Sequence, residues 1–346
     1  MTVNVLLTGA GGFMAHFIHG ALSAATAEIR VVACDHSPDS VGLFRADVGC
    51  VVPSATDDRY VGRIVELCRA EGIHLLLVHG AAERRVLARH RDSIFAESGA
   101  YVVTPPPDVL SRIEDKWELT KYLAGRGFDH PRSVLPADRT GMERFLDEVS
   151  FPYVVKDRFG SGSKGLGIAS DKHHLERLLA VVPNAVIQEY LYPDSEEYTV
   201  GVFLGPDGTP AASIVMRREL ALGLTVKAQV LPDSPLGRYC ELAAQGSGCL
   251  GPTNVQLRLT DRGPVVFEIN ARFSTTTSAR CHYGYNEAEM CVKAFVLREP
   301  LARPQIRGGR FFRVIDDVFV EESDFDTLSA RGRIEKNPRP DHGDAR

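Results

Sequence analysis

Through the first hundred residues, apolar runs alternate with amphipathic stretches. Residues 3–8 (VNVLLT) are β-rich, 9–12 form a glycine turn and 13–24 follow a helical pattern. A second strand is expected at 30–35, a short third at 51–53, an amphipathic helix at 60–72, a fourth strand at 73–79, a helix at 83–98 and a fifth strand at 101–104. Pro105, Pro106 and Pro107 stop the last of these. Alternation of this kind predicts a parallel sheet flanked by helices.

Beyond the prolines the pattern changes. Residues 108–125 read as one helix, with Leu110, Ile113, Trp117 and Leu119 on its apolar face and Lys116 and Lys121 among its charges. A helix at 141–149 leads to FPYVVKDRFGSGSKGLGIAS at 151–170, which reads as strand, glycine-rich turn and strand. A helix at 173–182, a strand at 184–190 and an acidic turn at 193–197 follow, then strands at 198–204, 211–216 and 221–230. A helix at 235–247 precedes a hairpin of 255–259 with 265–269. Strand now follows strand, which predicts an antiparallel sheet in a separate domain.

Composition narrows the partners. The 346 residues suffice for two or three domains, and a net charge of −5 with mixed signs gives no basis for a nucleic-acid partner. Seven scattered cysteines without a CxxC pair are expected to be buried thiols in a reducing cytoplasm. No run has the length of a membrane span, and the apolar start lacks the basic region of a signal peptide, with Gly9, Gly11, Gly12 and His16 interrupting it. Gly9, Gly12 and Ala15, with Asp35 ending the second strand, resemble the glycine turn of short-chain dehydrogenases. The YxxxK pair of that family is absent, since Tyr153 and Lys156 stand one residue too close, so the turn is expected to pack helix on sheet.

Two stretches carry chemistry. In the first, Gly160, Gly162, Gly165 and Gly167 let backbone amides approach an anion, and Lys156 and Lys164 add positive charge. It is not a P-loop, because Lys164 precedes Gly165 rather than Ser or Thr. In the second, NVQLRLTDRGPVVFEINARFS, Glu268 and Asn270 point to one face of a strand, Arg272 continues the line, and Gln256 lies across the hairpin. One carboxylate with amide oxygens suits Mg2+ shared with phosphates.

With DKWELTKYL, YVVKDRFGSGSKGLGI, VIQEYL, EEYTV, NVQ and FEINARFS in this order, residues 1–300 resemble the ATP-grasp superfamily, and within it the carbamoyl-phosphate-synthase type. The resemblance implies an α/β and α+β fold. A parallel β/α pre-ATP-grasp domain (1–107) is followed by a lid subdomain (108–187), a C-terminal subdomain with the metal site (188–320) and a last element with a frayed tail (321–346). It further implies that Lys116 and Lys156 meet the phosphates of ATP beneath a lid that includes Ser161, Gly162, Ser163 and Gly165. Gln188, Glu189, Tyr190 and Leu191 would form the adenine hinge, and Glu197 would take the ribose hydroxyls. Gln256, Glu268 and Asn270 would ligate Mg2+, for which Mn2+ could substitute, and Arg272 would stand beside the transferred phosphoryl group, acting with Lys156. Asp157 and Ala271 replace prolines common in the family, and the chain ends soon after one grasp module, which is expected to exclude carbamoyl phosphate synthase activity as such.

The activity implied is ATP-dependent ligation of a small-molecule carboxylate to an amine through an acyl phosphate, in a cytoplasmic enzyme that forms homodimers. A kinase on the same nucleotide site, or nucleotide binding without catalysis, are the alternatives. Arg272 with Arg280 is a candidate clamp for the acceptor carboxylate. Arg217, Arg218 and Lys227 are candidates either for the acceptor cleft or for a solvated strand end. His282 and Tyr283 are expected to be a buried, hydrogen-bonded pair.

Overall fold

The computed structural model describes residues 1–160, 165–314 and 317–335. The first unit runs β1 (Val3–Thr8), α1 (Phe13–Ser23), β2 (Ile29–Asp35), α2 (Val41–Arg45), β3 (Val48–Val51), α3 (Tyr60–Ala70), β4 (Leu75–Leu77), α4 (Ala81–Ser98) and β5 (Tyr101–Val103). These five strands are parallel, in the order β3-β2-β1-β4-β5. The third strand lies earlier than expected, because residues 48–51 pair with 32–35 whereas Pro53 has no amide to donate. The short helix α2 gave no periodic signal. In the glycine turn the amide of Gly11 donates to Asp35 Oδ2 at 2.8 Å. A carboxylate of the chain itself thus occupies the position a cofactor phosphate would need, in keeping with a packing role for the turn.

The expected helix at 108–125 is broken into α5 (Pro107–Glu114) and α6 (Lys116–Gly125). Asp115 breaks it: extended in backbone, it caps α6 by accepting from Trp117 N at 2.9 Å, and it pairs with Arg158. The break sets Lys116 on the first turn of α6. Then come β6 (Ser133–Val134), α7 (Arg139–Glu148), β7 (Tyr153–Asp157), β8 (Leu166–Ala169), α8 (Lys172–Val181) and β9 (Ala185–Glu189). They form a four-stranded antiparallel sheet, β6-β9-β7-β8, whose inner face packs Val134, Phe145, Tyr153, Val155 and Leu175.

The third layer contains β10 (Glu197–Leu204), β11 (Pro210–Ala221), β12 (Leu224–Val230), α9 (Leu236–Ala244), β13 (Gly251–Thr260), β14 (Gly263–Asn270), α10 (Thr277–His282), α11 (Glu287–Cys291) and β15 (Gly309–Phe312). Its six strands are antiparallel in the order β14-β13-β10-β11-β12-β15. Strand β11 runs five residues past its expected end at 216, so Arg217 and Arg218 lie inside the sheet. Finally α12 (Glu322–Arg331) leads to β16 (Arg333–Glu335), which returns to the first sheet and pairs antiparallel with β3.

Arg280 corrects an expectation. It is fully buried and ion-paired to the equally buried Glu287 at 3.2 Å, and it also donates to Thr199 and Asn254. Its guanidinium lies so close over β10 that a Cβ on Gly201 would meet it at 2.7 Å. Arg280 is therefore a strut between α10 and the sheet, with no face left for a substrate. His282 is exposed, contrary to the expected buried pair, while Tyr283 is buried and donates to Arg310 O at 2.6 Å. Lys227 is exposed and pairs across the strands with Glu219 at 3.1 Å. Arg280→Met is expected to destabilise the fold by about 3–5 kcal/mol, because Glu287 would be left buried without its partner. Urea unfolding would measure this, and a loss below about 1 kcal/mol would contradict the strut.

Candidate active site

Strand alternation builds the site. On β7, Tyr153 and Val155 enter the core beneath α7 and α8, so Val154 and Lys156 face the large sheet. On β13, Val255 and Leu257 are buried in the core, which turns Gln256 and Arg258 to the opposite face. Gln256 stands opposite Glu268 in the β13–β14 ladder, as the hairpin reading expected, and Asn254 stands opposite Asn270.

Between the sheets lies a cavity of about 300 Å³, reached by Lys156, Glu197, Glu268 and the 188–191 segment. A second cavity, about 330 Å³, opens beside it towards the first turns of α1 and α4. The two share a wall made of Lys116, Gly160, Arg218, Leu220, Gln256 and Glu268.

Positive charge in this cleft is buried. Burial pulls the Lys156 amine down to about 8, with Lys116 nearby pushing the same way and Glu268 opposing it, and the amine lies 5.9 Å from the centre of the Phe267 ring. Lys116 is lowered too, mainly by burial, and donates to the carbonyls of Gly160 at 2.5 Å and Arg158 at 3.3 Å. It thus grips the root of the glycine loop. Ser161, Gly162, Ser163 and Lys164 lie outside the described residues; Gly165, with φ of +69°, starts the return into β8. Arg272 is pulled down to about 10 by burial and by Arg84. Its Nη1 donates to Phe273 O at 2.9 Å and sits 3.8 Å from Met14 Sδ, with no acidic partner among the described residues.

Glu197 is held on both oxygens. Arg218 donates to Oε1 from Nε and Nη2 at 3.1 and 2.9 Å, and Arg258 donates to Oε2 at 2.5 Å. Arg218 also donates to Gln256 Oε1 at 2.7 Å, and Arg258 to Leu191 O and, at 2.9 Å, to Asp194. Arg258 thus ties the 188–191 segment to the large sheet, while Arg218 links β10 to β13 within it. In that segment Gln188 is spent on Ser133 at 2.8 Å, Glu189 pairs with Arg262 at 2.5 Å, Tyr190 donates to Asp194 at 2.7 Å and Leu191 is buried. Arg217 turns away to Glu196 and Gln229.

The sequence reading missed Arg258, and it missed His79, Arg84 and Glu114, which line the second cavity. Glu114 pairs with both Arg84 and Arg85. Burial lowers His79 to about 4, so it is neutral and its Nε2–H donates to Gly9 O at 2.8 Å. A signal for Arg258 did exist, since it lies directly opposite Glu197 in the ladder. That pairing becomes visible only once β13 is set beside β10.

The donor set fits a divalent cation. Among the described residues Glu268 makes no hydrogen bond or ion pair, and Asn270 Nδ2 is buried without a partner, so neither side chain is committed elsewhere. No three His, Cys, Asp or Glu side chains cluster among the described residues, which suits a cation shared with phosphates rather than caged by protein. All seven cysteines are free, and no helix among the described residues is long and apolar enough to cross a membrane.

Comparison with known proteins agrees with this architecture. Residues 5–103 match the PylC-like N-terminal domain, 113–207 the RimK-like ATP-grasp domain, and 182–317 the family described as ATP-grasp in the biosynthetic pathway with Ter operon. The carbamoyl phosphate synthase large chain of Mycobacterium tuberculosis (strain H37Rv) is 24% identical over 283 residues, 75% of this chain and 25% of its own length. That of Streptomyces avermitilis is 24% identical over 194 residues, 52% of this chain and 18% of its own. The chain thus spans about a quarter or less of these relatives. N5-carboxyaminoimidazole synthetase from Staphylococcus aureus complexed with ADP superposes with a TM-score of 0.73 at 14% identity, covering 94% of this chain and 86% of that one. The biotin carboxylase domain dimer of Hydrogenobacter thermophilus 2-oxoglutarate carboxylase, in complex with MgADP, ADP and bicarbonate, gives 0.64 at 16%, covering 89% and 73%. Two ATP-grasp models thus match successive parts of residues 113–317, and the chain is similar to carbamoyl phosphate synthase large chains.

Lys156 generates opposite pH effects. Metal-free ADP is expected to bind more weakly as pH rises through about 8, by up to about tenfold per unit, as the amine loses its charge. Stability of the nucleotide-free protein should move the other way between about 8 and 10.5, because there the unfolded chain binds the extra proton. Calorimetric titration of ADP across this range, with Lys156→Met as a weak and pH-independent control, checks the assignment.

Proposed function

We propose that this ATP-grasp chain is an ATP-dependent carboxylate–amine ligase releasing ADP and phosphate. The observation that carries the reading is the shared wall: Lys116, Gln256 and Glu268 border both cavities, so a nucleotide phosphate in one and an acceptor in the other would meet there. Lys116 and Lys156 hold the phosphates, residues 188–191 the adenine and Glu197 the ribose. Gln256, Glu268 and Asn270 would hold Mg2+, or Mn2+ in its place, which when bound supplies positive charge against the triphosphate. Gln256 contributes with one lone pair already taken by Arg218.

The chemistry needs no side-chain nucleophile. A carboxylate oxygen attacks the γ-phosphorus and ADP leaves; an amine then adds to the acyl phosphate, phosphate departs, and the amine's proton is lost to solvent. Arg272, positively charged and without an acidic partner among the described residues, stabilises the phosphoryl group in flight. Burial of the cleft keeps water from the acyl phosphate. The partners are small molecules, and assembly as a homodimer draws support from the biotin carboxylase neighbour, whose structure is described as a dimer.

Paired carboxylates and amines screened for ADP release, with mass analysis of products, test the reading. ADP, phosphate and an amide are expected; AMP and pyrophosphate would overturn it, and ADP with a phosphorylated acceptor but no amide would indicate a phosphoryl transferase. Glu268→Ala and Asn270→Ala should each lower turnover at least about 100-fold, losses typical of transition-state charge stabilisation. Their circular dichroism and melting temperature should stay near wild type. Unimpaired turnover in both would sink the metal assignment.

A further inference from the structure

Cations outnumber acids in the lining of the second cavity. Arg84, Arg85, Lys116, Arg218 and Arg272 reach it, against Glu114 and Glu268. Lys116, Arg218 and Glu268 also border the nucleotide cavity, and Arg218 is paired with Glu197. Arg272 and the trio of Arg84, Arg85 and Glu114 line the second cavity alone. Arg272 has no acidic partner among the described residues, and Glu114 balances only one of the two arginines it pairs with. Two separate positive charges therefore face the acceptor.

The trio sits where a helix would not normally place it. Helix α4 begins at Ala81, which lines the cavity, and its N-cap Gly80 offers no side chain. The positive end of a helix favours acids. The acid of this turn, Glu83, instead accepts from Thr8 and Tyr60 at 3.2 and 3.1 Å, and Arg84 and Arg85 follow it. Arg84 has a side chain only 6% exposed; it donates Nη1 to His79 O at 2.9 Å and pairs with Glu114, while its Nε is buried without a partner. Its charge also helps to pull down the pKa of Arg272, so the two guanidinium groups repel each other. Arg85 is half exposed and is held by Glu114 Oε2 through Nε at 2.9 Å, with both Nη groups unpaired among the described residues. Fixed in that way, it presents its two terminal nitrogens as a fork suited to a carboxylate.

We propose that the acid activated in this cavity is a dicarboxylate, with its reacting carboxylate beside Arg272 and its second carboxylate on Arg84 and Arg85 at the start of α4. This rests on the ligase reading of the same site. One negative charge is what each of the two positions lacks. A second carboxylate matches the single excess charge of the trio, whereas a phosphate dianion would overshoot it.

The test is direct binding, which does not require turnover. The full chain, saturated with a non-hydrolysable ATP analogue and Mg2+, is titrated calorimetrically with dicarboxylates from malonate to adipate, each compared with the monocarboxylate of the same carbon number. At least one diacid should bind about tenfold or more tightly than its matched monoacid, the gain of one charge-assisted pair. Arg85→Gln should abolish that advantage while leaving the affinities for monoacids and for the analogue unchanged. Its melting temperature should stay near wild type, because the side chain is half exposed. No diacid exceeding its monoacid would overturn the proposal. So would an Arg85→Gln protein that keeps the advantage, or that loses monoacid and diacid binding alike. A diacid advantage that depends on Arg85, without ADP release from any diacid and amine pair, would sink the ligase reading and leave the dicarboxylate site standing. Amide formation from monoacids with no preference for diacids would do the reverse.

Discussion

Uncompensated positive charge between two sheets governs this molecule. Lys116, Lys156 and Arg272 are all pulled towards neutrality by burial, and Glu268 is the carboxylate that opposes the shift in each of them. Such an arrangement costs stability in the empty protein and is repaid when an anion arrives. The arginines of the cleft are ion-paired within it, Arg218 and Arg258 with Glu197, and Arg84 and Arg85 with Glu114, which still leaves each trio with one net positive charge. The paired arginines give the cleft its shape. The cations without an ion pair among the described residues leave it electropositive, as the proposed ligase chemistry requires.

That division also explains what could be read from the sequence. Local signals were legible: the period-two pattern that puts Lys156 on one face of its strand, the offset that aligns Glu268 with Asn270, and the hairpin that brings Gln256 across from Glu268. The turn-forming glycines and the triple proline marked the element boundaries closely. What escaped depended on pairings between distant strands. Nothing near Arg258 announces Glu197, and Arg280 looked like a substrate clamp until α10 folded back over Gly201 and Asn254. The break at Asp115 was hidden because the apolar periodicity runs through it, while the competing capping bonds and the pairing with Arg158 are tertiary facts.

The N-terminal sheet contributes walls rather than catalytic groups. Strand order reverses around β1, and α1 and α4 begin on either side of that point, bringing Met14, Arg84 and Arg85 to the second cavity. Its glycine turn looks like a phosphate site but is closed by Asp35 and packed by a neutral His79. The same geometry that elsewhere grips a cofactor here stiffens a wall.

Strand β16 has a consequence for how the protein is made. It pairs with β3 across roughly 280 intervening residues, so the first sheet stays open at one edge while those residues are made. The β3 edge is short, four residues, and is flanked by Asp47 and Pro53, features that discourage a wrong partner during the wait. When residues 333–335 dock, they seal that edge, and Arg333 fastens them to Glu71 at 3.1 Å. The edge of the first sheet is thus closed by a strand far away in sequence, so its completion requires the intervening residues to be in place.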